Sequence, residues 1–391
     1  MPISTLSGLV YPVGLTADSG CFSYQAPVRD CYLVVGNHND FAGIGEALYT
    51  LAAYFTRHFP VYISRSVVPD AINVIIDEFS RPRFVEFLHD IKRAHPHTRF
   101  IVMATEFITQ IVIAGVKFGH TFNFFGTQDD VRLLARLLAY KLRVKKLPPY
   151  LTSRYQGFVQ VLPVADLVIC AHPAVAETMY LLPNDRARPT QAPLTLYPEV
   201  DATRISADPR LYQRPPGATM TGTMTRFRQS IATKLIQGLG QIGVTKPVYR
   251  HTAFSEAPGF TLGPHGADFG YSDTRAVDDY LYNLNPPQRA NWRYSSPMRI
   301  LRAMLLGQIP LLTQRFDDHE IEDVAETLDG TMESIERVWV NATVDRHVLI
   351  ERYLSRVNHY SIVAREKNRA IDLALADMTQ GLPPVTASAP R

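Results

Sequence analysis

Between about Cys31 and Cys170, short apolar runs alternate with longer segments of helical period. That alternation predicts a parallel sheet with crossover helices. "CYLVVG", "VYIS", "INVIID", "RFIVMA" and "ADLVIC" read as buried strands, and "GIGEALYTLAAYFTRH", "PRFVEFLHDIKRAH", "VRLLARLLAYKLRVKKL" and "HPAVAETMYLL" as helices. From about Leu182 to Gly217 the pattern changes to "PNDRARPTQAPLTLYPEVDATRISADPRLYQRPPG". Rich in proline and without long periodic runs, this stretch predicts an interdomain linker. The alternation then resumes with "ATMTGTM" as strand, "TRFRQSIATKLIQGLGQIG" as helix, "KPVYRH" as strand, "AVDDYLYNL" as helix, "SSPMRILRAMLL" as helix and "IPLLT" as strand. "RHVLIERYLSRVNHYSIVAREKNRAIDLALADM" is helical over most of its length, and the tail after it should fray.

The expected architecture is therefore α/β, with two doubly wound domains facing a central cleft. The first domain covers residues 1–182, the linker 183–217 and the second domain 218–345, followed by C-terminal helices at 346–378 and a flexible tail at 379–391.

Composition narrows the picture. The chain has 391 residues, too many for one ordinary core, and 46% of them are hydrophobic, as in a soluble globular enzyme. A net charge of +3 is too mild to call for nucleic acid as an obligatory partner. A basic stretch, from Arg132 to Lys146, fits a solvated helix face and also fits contact with anionic headgroups or an anionic acceptor. Cys21, Cys31 and Cys170 are odd in number and far apart, which argues against a disulfide framework and a zinc site. The N-terminus shows no basic segment leading into an apolar run, and the most hydrophobic window is broken by Glu106 and Gln110. A cytoplasmic protein, with peripheral contact to the inner face of a membrane left open, is the expectation.

Candidate chemistry lies at two helix starts. In "YSSPMRILRAMLLGQIPLL", Ser295 and Ser296 can cap a helix whose first residue, Pro297, lacks an N–H that would go unpaired anyway. The first turn of a helix carries unpaired N–H groups and a partial positive charge, so a phosphate placed there gains hydrogen bonds and field together. Arg293 and Arg299 add fixed positive charge, and the second helix start, "TGTMTRFRQS", carries Arg226 and Arg228. Capping alone also explains Ser-Ser-Pro. Both starts follow strands, where ligands of open α/β sheets collect.

These residues carry a resemblance. "SSPMRILRAMLLGQIPLLT" resembles the donor-site helix and following strand of glycosyltransferases of the GT-B fold, and "TGTMTRFRQS" is similar to the Gly-x-x-x-x-x-Arg opening of their donor half, here Gly222 and Arg228. "GFVQVLPVADLVICAHP" resembles the late strand of their acceptor half. The resemblance implies two Rossmann-like domains and a hexosyltransferase that uses a nucleotide-diphosphate sugar as co-substrate, with no tightly bound cofactor. Gly222, Arg226, Arg228, Arg293, Tyr294, Ser295, Ser296 and Arg299 would line the donor site. Many retaining members carry Glu where this chain has Tyr294 and Arg302, so the usual ribose anchor is missing and the stereochemical outcome stays open. No Asp-x-Asp of the other main transferase fold is present; a metal ion need not be required.

In the first half, "GNHNDFAGIGEA" follows a strand, and a general base for an acceptor hydroxyl could come from His38, Asp40 or, after another strand, Glu106. Each of the three is as readily a turn or capping residue. His120 lies in an aromatic run and reads as a core histidine. Asn283, Asn285, Gln288 and Asn291, around Trp292, form an amide-rich stretch suited to sugar hydroxyls, although a polar surface loop would look the same. The acceptor would be a carbohydrate, a lipid-linked molecule or another hydroxyl compound, not nucleic acid. Rival readings are a sugar-nucleotide epimerase and a non-catalytic carbohydrate-binding or assembly protein. A dinucleotide oxidoreductase is weaker, since "AGIGEA" lacks the third glycine of the fingerprint.

Overall fold

The computed structural model describes residues 30–34, 45–64, 66–76, 82–104, 160–173, 175–176, 192–221, 224–244, 280–287, 296–315 and 319–380. It also describes the backbone of short strands at 11–12, 109–113, 116–120, 249–252, 260–262 and 269–271.

Continuous apolar runs form the first sheet, because a parallel strand is covered on both faces. Its strands are β1 (Tyr11–Pro12), β2 (Cys31–Val34), β3 (Val61–Ser64), β4 (Ile72–Ile76), β5 (Arg99–Ala104), β8 (Leu167–Cys170) and β9 (Leu194–Thr195), in the order β1-β3-β2-β4-β5-β8-β9. All neighbours are parallel except β1, which runs antiparallel to β3. Side chains alternate between two cores. Ile72, Val74 and Ile76 of β4 join the cluster containing Leu51 and Phe55 of α1 (Gly45–Phe55), while Ile75 joins Val85 and Leu88 of α2 (Pro82–Ala94) on the other face. Two antiparallel pairs stand apart from the large sheets: β6 (Thr109–Ile113) with β7 (Val116–His120), and β12 (Phe260–Leu262) with β13 (Phe269–Tyr271).

The second sheet is wholly parallel, in the order β11-β10-β14-β15-β16. Its strands are β10 (Ala218–Thr221), β11 (Tyr249–Thr252), β14 (Tyr282–Asn285), β15 (Ile309–Leu312) and β16 (Glu326–Thr327). α5 (Arg226–Gln241) follows β10, α6 (Pro297–Leu305) follows β14, and α7 (Met332–Thr343) follows β16. The fold is thus α/β, with two parallel sheets flanked by helices.

One sequence expectation needs correction. "AVDDYLYNL" was expected to be helical, because Val277, Tyr280, Leu281 and Leu284 fall at helical spacing; instead Tyr282–Asn285 form β14, buried at every position between β10 and β15. An apolar run this short cannot be assigned by period alone. The stretch 183–217 holds β9, which extends the first sheet beside β8, and two short helices, α3 (Ala202–Ser206) and α4 (Pro209–Gln213), capped by Asp201 and Asp208. The expected helix at "VRLLARLLAYKLRVKKL" lies outside the described residues.

α8 (Arg346–Thr379) runs 34 residues, about 50 Å at 1.5 Å per residue. Leu349, Tyr353, Val357 and Ala364 pack into the core of the second sheet, and Ile371, Leu375 and Met378 into that of the first. One helix therefore belongs to both cores. It also grips the chain after β9. The Asn368 side chain accepts from Tyr197 N and donates to Tyr197 O, both at 2.9 Å, and Tyr360 Oη donates to Pro198 O at 2.9 Å.

Candidate functional site

Strand order reverses between β10 and β14, because the chain moves from β10 outward to β11 and then back across to β14. At such a switch point the connections leave in opposite directions and open a crevice at the carboxyl edge of the sheet. Both helices expected to bind an anion start at this edge. Thr225 caps α5, its hydroxyl accepting from Arg228 N at 3.2 Å, and Ser296 stands at the N-cap of α6 with Pro297 at the first position. The Ser296 hydroxyl makes no capping bond.

The four described arginines and serines take different places. Arg226 is exposed on the first turn of α5. Arg228 is only 1% exposed, and its Nε and Nη2 donate to the carbonyl of Pro286, the residue after β14, at 3.3 and 3.2 Å. A buried guanidinium on α5 therefore ties the start of that helix to the exit of β14. Arg299 is half-buried in the first turn of α6, with its backbone N–H donating to Ser296 O at 3.1 Å. Gly222, Arg293, Tyr294, Ser295, His38, Asp40 and Glu106 lie outside the described residues.

The far end of α6 is also held. Gly307 ends the helix at φ +64, a left-handed conformation suited to glycine, and Asp208 Oδ2 lies 2.9 Å from where a Cβ would stand. Arg210 Nη2 donates to Leu305 O at 3.0 Å and Arg214 Nη2 to Leu306 O at 2.8 Å. Cations on the last carbonyls complement the helix dipole. Both ends of α6 are thereby fixed, its start by Met298, which packs into the first sheet's core beside α1.

Polar groups that the sequence reading did not single out meet between the two sheets. His172 follows β8 of the first sheet and His319 follows β15 of the second; both are buried, with ring centroids 5.4 Å apart. The Tyr197 ring lies 4.5 Å from that of His319. Burial pushes the His172 pKa down to about 4, and burial together with His172 and Lys367 pushes that of His319 well below the usual histidine value. Both rings are neutral at pH 7. Lys367 of α8 pairs with Glu320 at 2.9 Å, and burial followed by Glu320 raises the Tyr197 hydroxyl to about 12. The signal in the sequence was slight: one histidine two residues after "ADLVIC", another in "DDHEIED".

Asn283 and Asn285, read from the sequence as part of an amide-rich loop suited to sugar hydroxyls, are buried in β14. Asn283 Nδ2 donates to Gln308 Oε1 at 2.8 Å, and Gln308 Nε2 passes the chain on to Tyr280 O at 2.8 Å. Among the described residues, no group of three or more His, Cys, Asp or Glu could hold a metal ion, and no helix is long and apolar enough to cross a membrane.

No protein-family model matches the chain, and no curated protein matches it in sequence. Solved structures of similar architecture include an alpha-glucosyltransferase in complex with UDP and a 13-mer DNA containing a HMU base (TM-score 0.49, 9% identity, covering 90% of this chain and 99% of that one). The alpha-glucosyltransferase with UDP-glucose and DNA containing an abasic site gives a TM-score of 0.47 at 10% identity, covering 90% and 98%. HepE from Anabaena in complex with UDP gives 0.43 at 9% identity, covering 90% and 100%. The likeness is to glycosyltransferases of the GT-B fold. Identities this low and TM-scores below 0.5 describe coarse architecture and say nothing of chemistry.

Proposed function

We propose that the protein is a glycosyltransferase that moves a sugar from a nucleotide-diphosphate sugar to an acceptor hydroxyl. The observation that carries this reading is the switch point between β10 and β14, where two helix starts share one edge and Arg228 bonds the Pro286 carbonyl. Amide N–H groups at the starts of α5 and α6, with Arg226 and Arg299, supply donors and positive field for a diphosphate. Gly222, Arg293, Tyr294 and Ser295 complete this donor site, and Arg228 acts by tying the start of α5 to the exit of β14. As the glycosidic bond breaks, charge grows on the leaving diphosphate. Fixed dipoles and guanidinium groups stabilise that charge without reorganising.

The acceptor binds the half built on residues 1–182, and the donor the half built on 218–345. The base that takes the acceptor proton is Asp40, His38 or Glu106. A carbohydrate, a lipid-linked molecule or another hydroxyl compound serves as acceptor, and no metal ion is needed to neutralise the diphosphate. Thermal denaturation with uridine, guanosine and deoxythymidine diphosphates and their sugar conjugates tests the reading, because a ligand that binds only the native state raises the melting temperature. One nucleoside diphosphate should raise it. If none does, the proposal fails.

A further inference from the structure

Two buried hydrogen-bond donors near the carboxyl edge of the second sheet have no hydrogen-bond partner among the described residues: Nδ2 of Asn285 and Nε2 of His319. Asn285 is the last residue of β14 and 8% exposed; His319 follows β15, the next strand of the sheet, and is 2% exposed. The proton on His319 is placed by its surroundings. Nδ1 accepts the Ile321 N–H at 3.1 Å, so in the neutral ring the hydrogen sits on Nε2.

An unpaired buried donor costs about 1 to 3 kcal/mol, and buried polar side chains in native proteins are bonded with few exceptions. The neighbouring amides obey the rule, since Asn283 and Gln308 bond each other and Gln308 bonds Tyr280. Two exceptions, one at the end of β14 and one in the connection that follows the neighbouring β15, mark a place where a ligand supplies the missing acceptors, on the side of the sheet where α/β proteins hold their ligands. Neither donor is charged: one is an amide, and burial keeps the imidazole neutral. Neutral donors suit uncharged oxygens, whereas the anion belongs with the helix starts and their arginines.

We propose that Asn285 and His319 form a donor subsite for hydroxyl oxygens of the sugar carried by the nucleotide. This rests on the glycosyltransferase reading and extends it to the sugar end of the donor. The His172 ring, from the first sheet, lies against that of His319, with centroids 5.4 Å apart.

Calorimetric titration of the full chain with UDP, GDP, dTDP and their glucose conjugates tests the subsite. His319→Asn keeps an acceptor near the Nδ1 position for the Ile321 N–H but has no donor at Nε2, whereas His319→Gln restores a donor near Nε2 and gives up the cap. The subsite predicts that His319→Asn leaves nucleoside diphosphate affinity unchanged and weakens the sugar conjugate about tenfold, the loss of one hydrogen bond. His319→Gln should keep the wild-type ratio of the two affinities. Asn285→Asp, which replaces a donor by an acceptor, should also weaken the conjugate selectively. If His319 only caps the Glu320–Val324 turn, His319→Asn is silent and His319→Gln is the damaged variant, and the subsite is overturned. It is also overturned if the wild type binds a diphosphate but none of the conjugates. A wild type that binds no nucleotide at all overturns the glycosyltransferase reading first.

Discussion

In the first sheet the buried amide of Asn73 is bonded on all sides. Its Oδ1 accepts from Val68 N at 2.8 Å, and its Nδ2 donates to Val68 O and Ala71 O at 2.8 and 3.2 Å, closing the turn that leads into β4. In the second sheet Asn285 ends β14 with its amide nitrogen unbonded. Asn73 lies near the amino end of its strand and Asn285 at the carboxyl end of its own. The same difference runs through charged groups. Asp166, just before β8, takes Lys92 at 2.6 Å and Phe100 N at 2.8 Å, while Arg226 on α5 is exposed. A saturated polar group holds the fold together, and a polar group left open at a carboxyl edge is available to a ligand.

Substitutions should separate the two kinds, with the largest stability loss in the first sheet. Asn73→Leu strands the Val68 N–H and two carbonyls; urea unfolding should show a loss on the order of 3 kcal/mol, with nucleotide affinity unchanged. Equal losses of stability and binding would break the contrast.

Next in size is a pH effect at the seam between the sheets. Folding holds His172 neutral down to about 4, whereas the unfolded chain takes up a proton near the ordinary value. The unfolded state thus binds more protons between those values, so its stabilising contribution is full above the unfolded pKa and falls as pH drops from about 6.5 toward 4. The cost should reach on the order of 2 to 3 kcal/mol at the low end, and denaturant titrations of His172→Phe should show a flatter slope over that window. An unchanged slope would remove His172 from the buried set.

Arg226→Ala carries the smallest effect. Because the side chain is exposed, stability should hold within about 0.5 kcal/mol. Affinity for a nucleoside diphosphate should fall by about 1 kcal/mol in calorimetry, and less at high salt, as befits a screened contact. Undiminished affinity would place the anion away from α5.

Much of this architecture was legible. Buried parallel strands write themselves as apolar runs, and the strands and helices between 31 and 104, with β10, α5, β11, α6, β15 and α8 beyond 218, are met where period and punctuation place them, Ser296-Pro297 and Gly307 bounding α6. β14 was misread because four residues are too few to show a period, and β9 because a two-residue edge strand shows none at all. The site was less legible for a different reason. Arg226 and Ser296 could be named from local helix-start chemistry, but Arg228 looks the same in the sequence and is instead buried against Pro286.

The sequence by itself determined most of the strands buried on both faces, where α5 and α6 begin, and that the stretch from Arg346 to Met378 is helical over most of its length. Each of these follows from spacing within a few turns of chain. Only the tertiary structure decided that α8 would serve both cores, that His172 and His319, 147 positions apart in number, would face each other, and that Asn285 would end buried with a donor to spare. Those outcomes depend on which strand lies beside which, and strand order is set by the packing of whole layers, which no local window of residues contains.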